Sequence, residues 1–351
     1  MTPPRFGFII PPGERDVMLK LGMLAERNGF DSIWIPDHLL DTSYYRPNPE
    51  CWTMITIMAY STTRVMVASG VTDPYRRHPS TLAQTVATLD QMFSGRIALG
   101  LGGGEAMSLV PFGMDFKDSL ARLREATECI KKLWLSTPDE PVSYCGKYYS
   151  FNNAFLTTRS VSKPHPPIYL GVFSKKAMEL VGELADGWYP LMSTPETFAE
   201  DIKVIERGAT RAQRKLEQID CMARVQTAVS KDREKAKEAA RKGTRTTLAT
   251  EPSFVKRLDP KLHMDRSFDV RTILASKDLR ASLGRVGMQI PDKTVDMVCA
   301  AGTPDDCIES LERYIKKGAR HIVVRNTWPD WEEVIGTYGS KIIPYLKQQH
   351  K

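Results

Sequence analysis

Hydrophobic and polar positions along this chain follow two periods that take turns. Short apolar runs, as expected of buried strands, alternate with stretches whose apolar residues recur three and four apart, as on a one-sided helix. Residues 5–10 form the first run, closed by Pro11 and Pro12. Arg15–Arg27 follows, with Val17, Leu21, Leu24 and Ala25 on one helical face, and Asn28-Gly29 ends it as a C-cap does. The same reading predicts strands over 32–35, 65–71, 97–101, 168–171, around Trp188, and over 221–229 and 321–325. It predicts helices over 52–62, 79–93, 120–134, 175–184, 198–206 and 331–346. Eight strand–helix units predict an α/β fold, a (β/α)8 TIM barrel; a doubly wound open sheet is the alternative. Two segments interrupt the rhythm. Residues 137–167 are rich in Tyr, Asn and Pro with no clear helix, and residues 230–302 begin as a charged helix and turn irregular around Pro252, Pro260 and Pro291. Both read as insertions near the barrel mouth, within a single domain spanning 1–351.

Barrel active sites gather at the C-terminal ends of the strands, so residues just past each predicted strand are the candidates. The second strand delivers Asp37 and His38, and the third Ser69, Gly70, Val71 and Thr72. The fifth delivers Gly171, Val172, Phe173 and Ser174, ahead of a helix that opens with Lys175-Lys176. The fourth is the most informative: it runs into Gly102, Gly103 and Gly104, then Glu105. Glycine allows close backbone approach and positive φ. The spacing matches neither the dinucleotide fingerprint nor a P-loop. A histidine and a glutamate at two strand ends make a candidate acid–base pair. Ser174 reads either as an ordinary helix N-cap or, with the free N–H groups and two lysines, as a phosphate-binding turn. His78 and His165 precede prolines and read as structural; His263, His321 and His350 carry no pattern. The acidic and histidine residues are too scattered to argue for a metal.

Composition narrows the picture modestly. At 42% hydrophobic and 26% charged residues the chain is ordinary for a globular protein. It holds no apolar run of about 18 residues, so no transmembrane helix is expected. The opening MTPPRFGFII lacks the apolar core and cleavage site of a secretory signal. Six scattered cysteines without a C-x-x-C pair argue against a disulfide framework and fit a cytoplasmic protein. The net charge of +7 is spread along the chain with no nucleic-acid motif, so it reads as attraction of an anionic small ligand rather than of nucleic acid.

Several motifs carry a family resemblance. Asp-Ser-Ile-Trp-Ile-Pro-Asp-His (31–38), Ser-Gly-Val-Thr-Asp-Pro-Tyr-Arg-Arg-His-Pro (69–79), Ala-Thr-Leu-Asp-Gln-Met-Phe-Ser-Gly-Arg-Ile-Ala-Leu-Gly-Leu-Gly-Gly-Gly-Glu (87–105), Pro-Pro-Ile-Tyr-Leu-Gly (166–171), Ala-Asp-Gly-Trp (185–188) and Gly-Thr-Pro-Asp (302–305) occur in this order. With them the chain resembles the bacterial luciferase-like superfamily, and within it the coenzyme F420-dependent oxidoreductases; the 87–105 block is the most specific. The resemblance implies F420, or FMN as the alternative, bound at a barrel mouth with its phosphate tail toward the fifth strand. It places Asp37 and His38 beside the reactive ring and Glu105 after the Gly103-Gly104 turn. It places Thr72 and Ser108 where the cofactor is hydrogen-bonded, and the backbone of residues 171–174 at the phosphate. It also implies a non-prolyl cis peptide at Ser69–Gly70 or Gly70–Val71, and a homodimer. The implied reaction moves a hydride between C5 of the deazaflavin and a ketone or secondary alcohol, or a methylene-pterin, with His38 as general acid/base and Glu105 as its partner. By the same resemblance pterin reductases carry a carboxylate shortly after a Phe-Gly pair on strand one. Phe6-Gly7-Phe8-Ile9-Ile10 has none, and residues 148–155 look more like the ketoreductases. Tyr44-Tyr45 and the 230–302 insertion are expected to set the substrate. Two other readings stand beside this one: an FMN-dependent monooxygenase, and a non-catalytic flavin-binding barrel.

Overall fold

The computed structural model describes residues 3–40 and 46–350, so Tyr44-Tyr45 lies outside the described residues. Its strands are β1 (Arg5–Ile9), β2 (Ser32–Ile35), β3 (Met66–Ser69), β4 (Ile97–Gly102), β5 (Val142–Cys145), β6 (Ser150–Ala154), β7 (Ile168–Gly171), β8 (Gly187–Trp188), β9 (Asp220–Val229), β10 (Cys299–Gly302) and β11 (His321–Asn326). β1 to β4, β7 to β9 and β11 pair in parallel in that order, and β11 returns to β1. The seam between β8 and β9 matches Trp188 with Cys221. The result is a closed (β/α)8 barrel.

Strand alternation assigns each side chain to one of two layers. Phe6, Phe8, Ile33, Ile35, Val67 and Leu99 point outward into the core beneath the helices. Ile9, Trp34, Ala68, Ala98, Tyr169, Tyr189, Met222 and Val323 point inward and form a separate cluster. Ala68 and Ala98 leave room for the Trp34 indole, which meets Tyr169 edge-on at 5.1 Å. Below them, at the N-terminal end, lies a polar floor. His321 Nδ1 donates to Asp220 at 2.8 Å and its Nε2 meets the Ser32 hydroxyl at 2.8 Å. Ser32 also accepts from Trp34 Nε1, and Asp220 accepts from Tyr169 and pairs with Arg5.

Most predicted elements form within a residue or two. The insertions differ from expectation. Residues 137–167 contain the β5–β6 hairpin, in which Val142 and Tyr144 alternate with exposed Ser143 and Cys145 and pack with Phe151 on the core. The base of this insertion lies at the N-terminal end of the barrel, where Val161 and Ser162 bind Asp90. Only the hairpin tip reaches mouthward, Tyr149 donating to the carbonyl of Pro74. Residues 230–302 do open with a charged helix, Arg233–Ala249, but continue with Pro252–Leu258, Leu279–Gly287, Asp292–Asp296 and β10, which extends the sheet from β9. Pro252 starts a helix rather than breaking one, because the first helical position needs no N–H donor. The same holds for Pro304, which with the Thr303 cap opens the helix Pro304–Lys316, an element the sequence pattern did not predict. Among the described residues no helix is long and apolar enough to cross a membrane, and no group of three or more His, Cys, Asp or Glu could hold a metal ion.

Candidate active site

At the C-terminal mouth the loops after β2 and β4 bring together two residues that are 67 positions apart in sequence. His38 Nδ1 lies 3.3 Å from Glu105 Oε2, and the two side chains are 25% and 33% exposed. Glu105 is in extended backbone at the start of the short helix Ala106–Leu109. Gly104 before it has φ +80°, and a side chain there would meet Leu109 and the Tyr75 ring. The triple glycine therefore turns the chain so that Glu105 faces the mouth.

Asp37 is buried. One of its oxygens accepts from Thr72 at 2.5 Å and Arg77 at 2.7 Å, the other from Arg76 at 2.9 Å. Arg76 also donates to the Asp37 carbonyl and to Asp73, and Arg77 to Glu50. Burial alone would lower the Arg76 pKa, but Asp73 and Asp37 overcome it and hold the guanidinium more firmly protonated. The structure thus joins the Asp37 and Thr72 side chains to each other and to Arg76 and Arg77, an anchor for the segment that carries His38.

The turn after β3 is fixed by its neighbours. The Gly70–Val71 peptide is cis. Ser69 Oγ donates to the Gly100 carbonyl at 2.8 Å, and Gly70 N–H donates to Ile35 at 2.7 Å. A side chain at Gly100 would fall on the Ser69 carbonyl oxygen, and one at Gly102 or Gly171 would strike the Val71 side chain. The glycines at the tips of β4 and β7 are the space into which this turn folds. Ser108 donates to Leu40 at 3.0 Å, tying the helix after Glu105 to the loop after His38. Val172 is buried and its carbonyl accepts from Trp188 at 2.8 Å, Phe173 lies under Arg271, and Ser174 accepts from Ala177 N–H as an N-cap. Gly103 is half-buried, and a side chain there would lie in ordinary contact with Ser119 at 3.4 Å.

The inner face carries polar residues that sequence reasoning did not single out. Met222, Arg224 and Gln226 share one parity on β9, so the two polar residues stand above the apolar barrel interior. Gln226 is fully buried and accepts from Arg325 at 3.3 Å, while its Nε2 is unpartnered. The Tyr189 hydroxyl, Arg224 Nε and Glu251 Oε1 are likewise buried without partners. Burial, reinforced by Asp269 and Glu105 against Arg271 and Arg224, pushes the Glu251 carboxyl up to about 8. Arg224 and Gln226 left a sequence signal, two polar residues at alternate positions of an apolar strand; Glu251 left none.

A family model described as luciferase-like monooxygenase matches residues 5–321. The 5,10-methylenetetrahydromethanopterin reductase of Archaeoglobus fulgidus is 33% identical, over 92% of this chain and 94% of its own length. The F420-dependent glucose-6-phosphate dehydrogenase of Microbacterium testaceum is 29% identical, over 95% and 94%. Among solved structures, the coenzyme F420-dependent tetrahydromethanopterin reductase from Methanopyrus kandleri matches with a TM-score of 0.81 at 26% identity, covering 99% of this chain and 100% of that one. An F420-dependent secondary alcohol dehydrogenase in complex with an F420–acetone adduct matches with a TM-score of 0.81 at 24% identity, covering 99% of both chains, which speaks for the fold.

Proposed function

This chain belongs to the luciferase-like family, and on that premise we propose that it is a coenzyme F420-dependent oxidoreductase with His38 and Glu105 as its acid–base pair. The observation that carries the reading is the 3.3 Å approach of His38 to Glu105 at the barrel mouth, beside the turn at Gly70–Val71. The mouth fits a flat ring system. Gly103 and Gly104 carry no side chain, and Gly100, Gly102 and Gly171 make room for the Ser69 carbonyl and the Val71 side chain of the turn that would back the ring. Residues 69–72, Gly103, Gly104 and Ser108 would hold the ring, and residues 171–174 the phosphate at the N-terminus of the helix Lys175–Leu184. The bound deazaflavin would supply a two-electron hydride donor or acceptor.

The chain's own residues handle the proton. With Nδ1 turned to Glu105, His38 exchanges the substrate's proton at Nε2, and Glu105 balances the charge. The Asp37–Arg76–Arg77 network holds the loop that carries the imidazole, so the ring need not be reoriented during the reaction. The inward positions of β1 are Arg5, Gly7 and Ile9, with no carboxylate, which supports a ketone or secondary alcohol over a methylene-pterin as substrate. In this reading the protein works in the cytoplasm as a homodimer. The six free thiols support the compartment, and the family resemblance supports the dimer.

The test is fluorescence titration with F420 and with FMN, followed by turnover with a panel of secondary alcohols and their ketones. His38→Ala and Glu105→Gln should bind F420 within roughly tenfold of the parent and lose on the order of 10²-fold or more in turnover. Parent-like turnover in both variants would remove the acid–base assignment. Tighter binding of FMN than of F420 would move the protein to the monooxygenase reading.

A further inference from the structure

Inside the mouth, three polar side chains are buried without using all of their hydrogen-bonding capacity. Tyr189 and Gln226 are at most 4% exposed, and the hydroxyl of one and the amide nitrogen of the other have no partner. Glu251 is 6% exposed with one carboxyl oxygen unpartnered. Arg224 belongs with them: its guanidinium lies 5.5 Å from the centre of the Tyr189 ring, and among the described residues it makes no ion pair. Buried polar groups are nearly always satisfied in a folded protein, and an unmatched cluster marks a place for a bound group. Tyr189 ties this cluster to the proposed centre, with Arg224 over its ring. The Tyr189 hydroxyl lies against Gly70, next to the turn after β3, and the charge of Glu105 is felt at Glu251. Arg224 and Glu251 could have paired with each other, yet they are left apart.

The chemistry of the cluster selects its ligand. Arg224 Nε, Gln226 Nε2 and the Tyr189 hydroxyl are hydrogen-bond donors. They ask for an acceptor-rich group with one negative charge. Arg325 donates to the neutral Gln226 and Thr247, so among the described residues Arg224 is the guanidinium at this cluster whose buried Nε still lacks an acceptor. A carboxylate matches a single guanidinium in charge and in planar geometry. Resting on the F420-dependent reading, we propose that Arg224, Gln226 and Tyr189 form a substrate subsite for the carboxylate of an oxo acid or hydroxy acid, with the Glu251 carboxyl closing it on the Glu105 side.

Glu251 gives this subsite a pH dependence of known sign. Burial and Asp269, with Glu105, raise its carboxyl to about 8 against the opposing Arg271 and Arg224. Below that value it is neutral and donates a hydrogen bond to a carboxylate. Above it Glu251 is charged, repels the substrate and competes for Arg224.

The experiment uses the protein loaded with F420 and measures calorimetric binding of 4-oxopentanoate and of its uncharged counterpart 2-pentanone. The oxo acid should bind at least about tenfold more tightly near neutral pH. Arg224→Met should narrow that difference at least tenfold, and Arg224→Lys should restore part of it. Raising the pH past about 8 should weaken oxo-acid binding in the parent but not in Glu251→Gln. Equal affinity for the two ketones, failure to bind either included, overturns the subsite, as does an Arg224→Met protein that still discriminates. The F420 titration done beforehand reports separately: if F420 itself does not bind, the cofactor reading fails, and if it binds while the ketones are not distinguished, only the subsite does.

Discussion

Replacing Asp37 by asparagine tests whether the charge behind His38 is what fixes the loop. The carboxylate is 5% exposed and accepts from Thr72, Arg77 and Arg76 at 2.5, 2.7 and 2.9 Å. Asparagine keeps the shape but turns one acceptor oxygen into an NH2 group that faces a guanidinium, and it removes the one charge shared by two arginines. Removing one partner of a buried ion pair costs roughly 3–5 kcal/mol. Two contacts soften the loss: Arg76 keeps Asp73 at 2.6 Å, and Arg77, 20% exposed, keeps Glu50. The low end applies, about 3 kcal/mol. At roughly 2 °C per kcal/mol for a large domain, the melting midpoint should fall by about 6 °C. Urea unfolding followed by tryptophan fluorescence, with calorimetry alongside, measures both. Arg76 also holds the Asp37 carbonyl, one residue before His38. Turnover in Asp37→Asn should therefore fall further than F420 affinity does. A stability loss under about 1 kcal/mol, with the urea dependence unchanged, would refute the reasoning, because it would mean the arginines need no charge between them.

Two further substitutions probe the scaffold. Burial alone would raise the Asp220 carboxyl, but His321, Arg5 and the Tyr169 hydroxyl overcome it and hold it far below the usual carboxylate range. Since the folded value is the lower one, ionised Asp220 stabilises the fold above about pH 4 and that contribution fades as the pH drops further. Asp220→Asn should lower the melting midpoint near neutral pH and flatten its decline in acid; an acid limb as steep as the parent's would contradict this. Gly100→Ala puts a methyl group onto the Ser69 carbonyl, which is backbone and cannot swing aside. It should destabilise by about 2 kcal/mol or more and weaken F420 binding through the displaced turn, as read by melting and titration; a protein that melts and binds like the parent would show that the turn has slack.

What could be read from the sequence follows from how local each cause is. β7 and the helix Lys175–Leu184 have the predicted bounds because a buried apolar run and a serine cap act over a few residues. His38 and Glu105 were legible for a different reason: topology sends every parallel strand end to one mouth, so two strand-end residues become neighbours without any knowledge of packing. The insertion 230–302 resisted because, after the helix Arg233–Ala249, its helices are short, and one begins at Pro252 and another directly after Pro291, prolines that look like breaks. The inward commitment of Asp37 resisted because it depends on Arg76 and Arg77, some 40 residues away, and on which side of the loop each reaches. The role of Glu251 depends wholly on tertiary burial, since neither its neighbours Thr250 and Pro252 nor any periodicity marks it.

The barrel also shows why geometry without access misleads. Ser32, His321 and Asp220 reproduce the hydrogen-bond order of a serine hydrolase triad, both links at 2.8 Å, tighter than the 3.3 Å between His38 and Glu105. Each is the first residue of its strand, so all three lie at the N-terminal end, where barrel residues serve stability. The Ser32 hydroxyl is 1% exposed and receives the Trp34 indole N–H, so no carbonyl can reach it. Asp220 is shared with Arg5 and Tyr169 as well as the imidazole. A nucleophile must meet a substrate, and every valence in this network already meets protein. The looser pair at the opposite end is the one that solvent, and hence a substrate, can touch. Within one barrel the better triad is the floor, and the proposed site lies where the strands end and the hydrogen bonds are incomplete.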